Sequence, residues 1–426
     1  MKRILPVILL ALLAMPATLL ADEPVKTGWS VGVLPALNYN NDLGFQIGGL
    51  GQLFYYGDGS LYPQYLHKLE AHAYFYSKGA KQAIINYDSK HLLPGMRLTV
   101  SAQYMDNPLC GFYGFNGAAS PYYSELNLRK SADKKDGIAF YADYQRQLLF
   151  SVDLQGRLAS NLTWIGGLKY SWQKYSDVSF SPYDGTETLF HQYVESGLIP
   201  QEDTFGHRLD LKGGVVYDTR DLEANPQGGI YATAQLTAGT SRSSAWKNAL
   251  LFSADFRHYL PLVPSRLLLA YQLSYKSLVA GSLPFYALPA YAMRGTYASR
   301  IVGNGVAWGG VDLRFTAARF TAFKQFFEVG LVAFAEAGGV VQPYRLDEQR
   351  LQGNYTIGKT LDEESFGPYA SIFDPAVSDG EKLHSSVGGG FFFTMNRNFV
   401  TAVEFGKPLN PQDGAFGLYI NLGFSF

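Results

Sequence analysis

The last eleven residues constrain the fold more than any other stretch. Phe416, Leu418, Ile420, Leu422, Phe424 and Phe426 alternate with Gly417, Tyr419, Asn421, Gly423 and Ser425. A period of two belongs to a β-strand, whose successive side chains leave opposite faces. Bulky apolar residues at every second position, ending on the aromatic Phe426, suit a strand with hydrocarbon on one face and a polar lumen on the other. A soluble sandwich strand alternates too, though seldom with such bulk at each outward position. The pattern recurs at Phe252, Ala254, Phe256 and Leu260, interleaved with Ser253, Asp255, Arg257 and Tyr259. That charged set is expected to face a wet interior.

The opposite end of the chain places the strand in a compartment. Met1-Lys2-Arg3, an apolar run from Ile4 to Met15 and small residues near Ala17 and Ala21 make the three-part pattern of a secretory signal peptide, cleaved after Ala21. The run is shorter than the roughly 20 residues of a spanning helix, and no later segment qualifies. Without residues 1–21, 33 Lys and Arg face 36 Asp and Glu, a balance that argues against a nucleic-acid partner. Cys110 is the single cysteine, so no intramolecular disulfide staples the fold; a buried or membrane-level thiol is its simplest reading. Aromatics reach 15% and charged residues only 17%, against about 25% in soluble domains. Mean hydropathy is nevertheless −0.06. Aromatic richness without overall hydrophobicity fits a wall that is apolar outside and polar inside; a large secreted sandwich or propeller competes on composition alone.

Punctuation by Gly, Pro, Asn and Asp separates strand candidates near 28-38, 43-56, 65-77, 80-88, 94-105, 138-156, 160-177 and 205-218. A second set lies near 228-241, 245-259, 264-279, 305-319, 323-338, 384-395, 398-408 and 415-426. Together they make about sixteen, an even number, as bacterial barrels require. With the first strand rising from the periplasm, the odd connections 106-137, 178-204, 280-304 and 339-383 are long, while Arg157 to Ala159 and Asn396 to Arg397 are short. Long extracellular loops and short periplasmic turns are the asymmetry of such barrels. The expectation is an all-β, 16-stranded antiparallel transmembrane β-barrel over residues 22-426, following a signal peptide at 1-21.

Three motifs stand in register with this strand order. Asp218, Thr219, Arg220, Asp221, Pro226 and Gly229 punctuate the turn between the eighth and ninth strands. There Pro and Gly make a tight turn, and the charges pair locally or meet headgroups. Met293-Arg294-Gly295-Thr296 lies between the eleventh and twelfth strands, followed by Asp312 and Arg314. Phe334-Ala335-Glu336-Ala337-Gly338 lies on the thirteenth strand. In kind and order these resemble the barrel domain of the bacterial surface antigen superfamily, the BamA/TamA type of outer-membrane assembly and translocation factors. The resemblance spans roughly residues 205 to 426. It implies that the Arg294–Gly295 loop is extracellular and folded into the lumen, where Arg294 meets Glu336 in a salt bridge. In a wet lumen such a pair positions the loop more than it stabilises it. Thr296 departs from the aromatic that the family carries at that place. The chain also leaves no room for the family's periplasmic POTRA domains and is expected to be barrel-only.

Catalytic patterns are lacking. His384 and Ser386 share a strand face, superficially like an outer-membrane phospholipase pair, but their surroundings do not match. No His-x-x-x-His, Cys-x-x-Cys or Gly-x-Ser-x-Gly spacing occurs, so no metal, cofactor or enzyme activity is expected. Loop 339-383 gathers Asp347, Glu348, Asp362, Glu363, Glu364, Asp374 and Asp379, which would suit Ca²⁺ but read more simply as a solvated lid. Two functions remain: a barrel in the Gram-negative outer membrane that assists protein or lipid insertion or translocation, or a passive channel or partner-binding barrel without that activity. Its partners would be the lipid bilayer and other outer-membrane or periplasmic proteins, or a second copy of the chain.

Overall fold

In hydrocarbon no water satisfies backbone N–H and C=O groups, so a chain that crosses as strands must curl its sheet until the edges meet. The computed structural model describes residues 25–40, 44–120, 122–130, 137–243, 245–349 and 380–426. The signal-peptide segment and most of the acidic loop therefore lie outside the described residues. The first eight strands are β1 (Trp29–Asn40), β2 (Gly44–Tyr55), β3 (His67–Tyr76), β4 (Lys81–Leu93), β5 (Met96–Gly111), β6 (Ala142–Arg157), β7 (Leu162–Ser176) and β8 (Phe205–Asp218). They continue as β9 (Gly229–Arg242), β10 (Trp246–Val263), β11 (Leu267–Gly281), β12 (Gly305–Ala322), β13 (Gln325–Gln342), β14 (His384–Met395), β15 (Phe399–Pro408) and β16 (Gly417–Leu422). Each pairs antiparallel with its sequence neighbours, and the order runs round from β1 to β16.

Alternation decides what each face meets. On β8, Leu209 and Leu211 stand outward, 49% and 61% exposed, while Arg208 and Asp210 turn inward and are buried. Ile47, Leu168, Leu236, Leu273, Leu331 and Phe391 continue the exposed apolar band around the wall. Inward, Asp255 accepts hydrogen bonds from Arg257 at 2.6 Å and from Gln272 and Ser274. Pro261, which has no N–H to give a ladder, sits beside a register shift in β10. The β12–β13 connection is only Phe323 and Lys324, both with positive φ, the backbone of a two-residue hairpin turn.

Above the wall, three loops knit into an aromatic dome. Phe112, Tyr113, Tyr141, Phe190, Tyr193 and Phe285 form one buried cluster. Thr188 caps the short helix α1 (Leu189–Glu195) within it, accepting from the His191 amide. Arg300 is fully buried under the dome, donating to the Ser120 carbonyl at 2.9 Å.

The sheet's edges meet sparingly. Among the described residues, β1 and β16 share one backbone pair, Tyr39 with Leu418, at the end of the wall that carries the long loops. Below it the join is made by side chains: Leu50 and Phe399 pack with Leu34 and Leu422. Here the sequence expectation needs correction. The alternation carries the last strand to Phe426, but the ladder ends at Leu422. Gly423 has φ +84°, and the chain leaves the wall. Phe426 is buried against Tyr259, Leu268 and Ala270, not presented to lipid.

The outward face gives a direct test. Leu211→Arg, near the middle of β8, should cost about 2–4 kcal/mol of stability in lipid vesicles, read from urea unfolding. Unfolding unchanged by this substitution would mean that this face does not meet hydrocarbon.

Candidate functional site

The inward loop between β11 and β12 places its tip against the C-terminal wall. Arg294 donates from Nε to Glu336 at 3.0 Å, from Nη2 to Asp312 at 2.9 Å and from Nη1 to Glu404 at 2.5 Å. Its own amide donates to Glu336 at 2.8 Å. The guanidinium also lies over the Phe334 ring, 3.5 Å from its centroid. Register explains the convergence. Gly310 is opposite Glu336, so Asp312 and Glu336 enter the lumen from adjacent strands, and Glu404 does so from β15. Burial opposes the charge on Arg294, yet the three carboxylates hold its pKa above the ordinary value.

Contact between the loop and the wall is backbone to backbone. Gly295 has φ +94°, and a Cβ there would lie 2.7 Å from the Gly406 carbonyl carbon. Its amide donates to the Tyr419 hydroxyl of β16 at 2.7 Å. Thr296 is buried and closes the tip: its hydroxyl donates to the Met293 carbonyl and accepts from the Met293 amide. Arg314 continues the network, bonded to Asp312 at 2.9 Å and to the Phe426 main-chain oxygen at 2.7 Å, with Phe424 stacked on it.

The sequence reading paired Arg294 with Glu336 in water and gave the contact a positioning role. Arg294 is only 6% exposed and Asp312 and Glu404 are not exposed at all, so the cluster is dry and depends on its charges being matched. Glu404 was not foreseen. Its signal was a lone carboxylate on the inward phase of β15, among Ala402 and Gly406. His384 and Ser386 do not act together: His384 faces Asp413 at 2.8 Å and Glu381 at 3.1 Å, while Ser386 points at Glu336.

The motif between β8 and β9 does more than turn the chain. Locally, Arg220 forks onto Asp218 at 3.0 and 2.8 Å and covers the Tyr231 ring. Thr219 exchanges hydrogen bonds with Ile230, and Asp221 accepts from the Gln227 amide at 2.8 Å. Pro226 is buried, and Gly229, with φ +102°, lies where a Cβ would strike the Thr219 carbonyl. Two residues outside the motif then reach across the lumen. Glu223 binds Lys90 of β4 at 2.7 Å and Arg97 of β5 at 2.9 Å. Asn225 donates to Glu328 of β13, which also holds Arg319. The turn is thus a strap across the short-turn mouth of the barrel, tied to walls three and four strands away on one side and four on the other.

Both sites carry tests. Arg294→Ala strands three buried carboxylates and should cost about 3–5 kcal/mol, seen as a lower unfolding temperature of the barrel band on gels. Arg294→Lys should fall between, since an ammonium lacks the planar fork. An unchanged temperature for both would refute the role given to this cluster. Burial pushes Glu223 up, but Arg97 and Lys90 outweigh it and hold its pKa at about 2, below an ordinary 4.5. A depressed carboxylate contributes fully above pH 4.5 and loses its contribution as pH falls through 2. A spin label at Gln227→Cys, with Cys110→Ser, should keep its mobility down to about pH 4.5 and gain it towards pH 2. Release already near neutral pH would contradict that anchoring.

Comparison with known proteins bears on these geometries. The model of the Omp85 superfamily domain matches residues 95–426. CdiB from Escherichia coli is 11% identical with a TM-score of 0.55, over 94% of this chain and 63% of that one. BamA from Haemophilus ducreyi, solved without its POTRA domains 1-3, is 15% identical with a TM-score of 0.49, over 92% of this chain and 70% of that one. CdiB from Acinetobacter baumannii gives 13% and 0.47, over 93% of this chain and 66% of that one. At such identities the likeness to E. coli CdiB speaks for the fold alone. No curated protein sequence matches significantly.

Proposed function

Because the chain belongs to the Omp85 superfamily, we propose that it works in the outer membrane as an insertion or translocation barrel, passing strands or lipid through its own seam. Residues 1–21 would serve as its export leader. The observation that carries this reading is the outer edge of β1, which finds a backbone partner on β16 only at Tyr39 among the described residues. A row of unpaired N–H and C=O groups at membrane depth is costly, and an incoming strand would satisfy it. The inward bend after Leu422 leaves the backbone of that edge without a ladder partner below Tyr39, covered only by side chains such as Phe399 that an incoming strand would displace.

The alternative, a passive channel, has less support. The aromatic dome covers the extracellular side and the strap crosses the periplasmic mouth, so a lateral route is the better match to this lumen. The direct partners are then the bilayer and unfolded or membrane-bound proteins that meet the seam, a second copy of the chain included.

Purified barrel in liposomes should accelerate insertion of a urea-unfolded small outer-membrane protein beyond a porin of similar size. Tyr39→Cys with Leu418→Cys, in a Cys110→Ser background, places a disulfide at the one registered pair. Oxidation should abolish the acceleration and reduction restore it. Acceleration that survives the lock would exclude the seam as the route, and none even when reduced would leave a barrel without insertase activity.

A further inference from the structure

A cavity of about 310 Å³ lies in the lumen wall, bounded by strands from β6 to β11 and roofed by Tyr286, Ala287 and Leu288. In the circular strand order it sits opposite the seam. Its charges do not balance. Arg208 pairs with Asp210 at 2.7 Å, and Lys212 with Asp153 at 2.8 Å. Two glycines make room for these pairs: a Cβ on Gly239 would lie 2.0 Å from Arg208 Nη2, and one on Gly167 1.9 Å from Asp153 Oδ1. Each carboxylate thus has a nearer cation, although Asp210 also attracts Lys169 and Lys276 at longer range. Lys169 and Lys276 line the same cavity with no hydrogen-bond or ion-pair partner among the described residues.

Register holds the two lysines among hydroxyls. Lys169 stands across from Ser151, and Lys276 across from Ser253, while Ser171 is buried on the same wall. Two ammonium groups facing one cavity repel each other, and the surplus of two positive charges is best relieved by a single ion carrying two negative ones. Lysine binds phosphate as a point charge, and hydroxyl donors complete the shell of an oxyanion.

We propose that this cavity binds a phosphate dianion, free in the lumen or carried by a headgroup. Lys169 and Lys276 neutralise it, and Ser151, Ser171 and Ser253 donate to its oxygens. A lipid headgroup entering at the seam would have to cross the whole lumen, so the soluble ion is the expected occupant.

The test is calorimetric titration of the full chain, in phosphatidylcholine nanodiscs at fixed chloride, with inorganic phosphate. Saturable binding of one ion per barrel is expected, with K169Q/K276Q weakening it at least about tenfold. No binding up to about 10 mM phosphate, or equal binding by the double variant, overturns the proposal. The same titration in discs containing phosphatidic acid separates the sources. An unchanged isotherm assigns the site to soluble phosphate, and a suppressed one assigns it to the headgroup. Should the double variant fail to fold, amine acylation of the native chain decides. Phosphate protection of Lys169 and Lys276, read by mass spectrometry, supports the site, and equal labelling overturns it.

Discussion

Backbone pairing in hydrocarbon governs the whole molecule. Among the described residues, fifteen of the sixteen strand junctions satisfy it with extended ladders, and the sixteenth meets it at a single pair. The shortfall has a local cause. At Gly423 the chain leaves the wall, and Phe424 and Phe426 exchange lipid for Arg314, Phe392 and Tyr259. The last strand is therefore short because its final aromatics find better partners inside, and the open edge and the filled lumen are one event.

The interior is organised in three tiers, each with its own chemistry. Apolar and aromatic packing closes the dome. A dry charge cluster around Arg294 fixes the middle. Longer-range ion pairs on Glu223 and a hydrogen bond from Asn225 tie the strap below. A large barrel would otherwise hold a water-filled channel. Here inward side chains and backbone occupy much of that space, so rigidity inside coexists with a loose join in the wall.

Most of the wall was legible because its environment repeats every two residues. β8 and β14 fall on the expected 205-218 and 384-395, since the inward and outward phases of each are chemically distinct. The overshoot at the C-terminus arose because alternation reports which face a residue is on but not whether its neighbour is still a strand. Phe424 and Phe426 keep the phase of lipid-facing residues while packing inside. Arg294, Asp312 and Glu336 could be placed from motif order. Glu404 comes from a strand near the chain's end, 110 residues from Arg294, and only folding sets it beside the loop. The strap was hidden for the same reason: the partners of Glu223 and Asn225 lie more than a hundred residues away, while its motif residues have local partners that make the turn look self-contained.

The position of Arg294 in the chain makes its seat a property of the closed C-terminal wall. The residue precedes every strand that supplies its carboxylates, β12, β13 and β15, so no local segment can seat its guanidinium. Only when the C-terminal wall is complete do Asp312, Glu336 and Glu404 converge, and only then does Gly295 find the Gly406 backbone and the Tyr419 hydroxyl. The loop thus depends on the register of three strands at once, and a slip in any of them leaves a buried cation short of a partner.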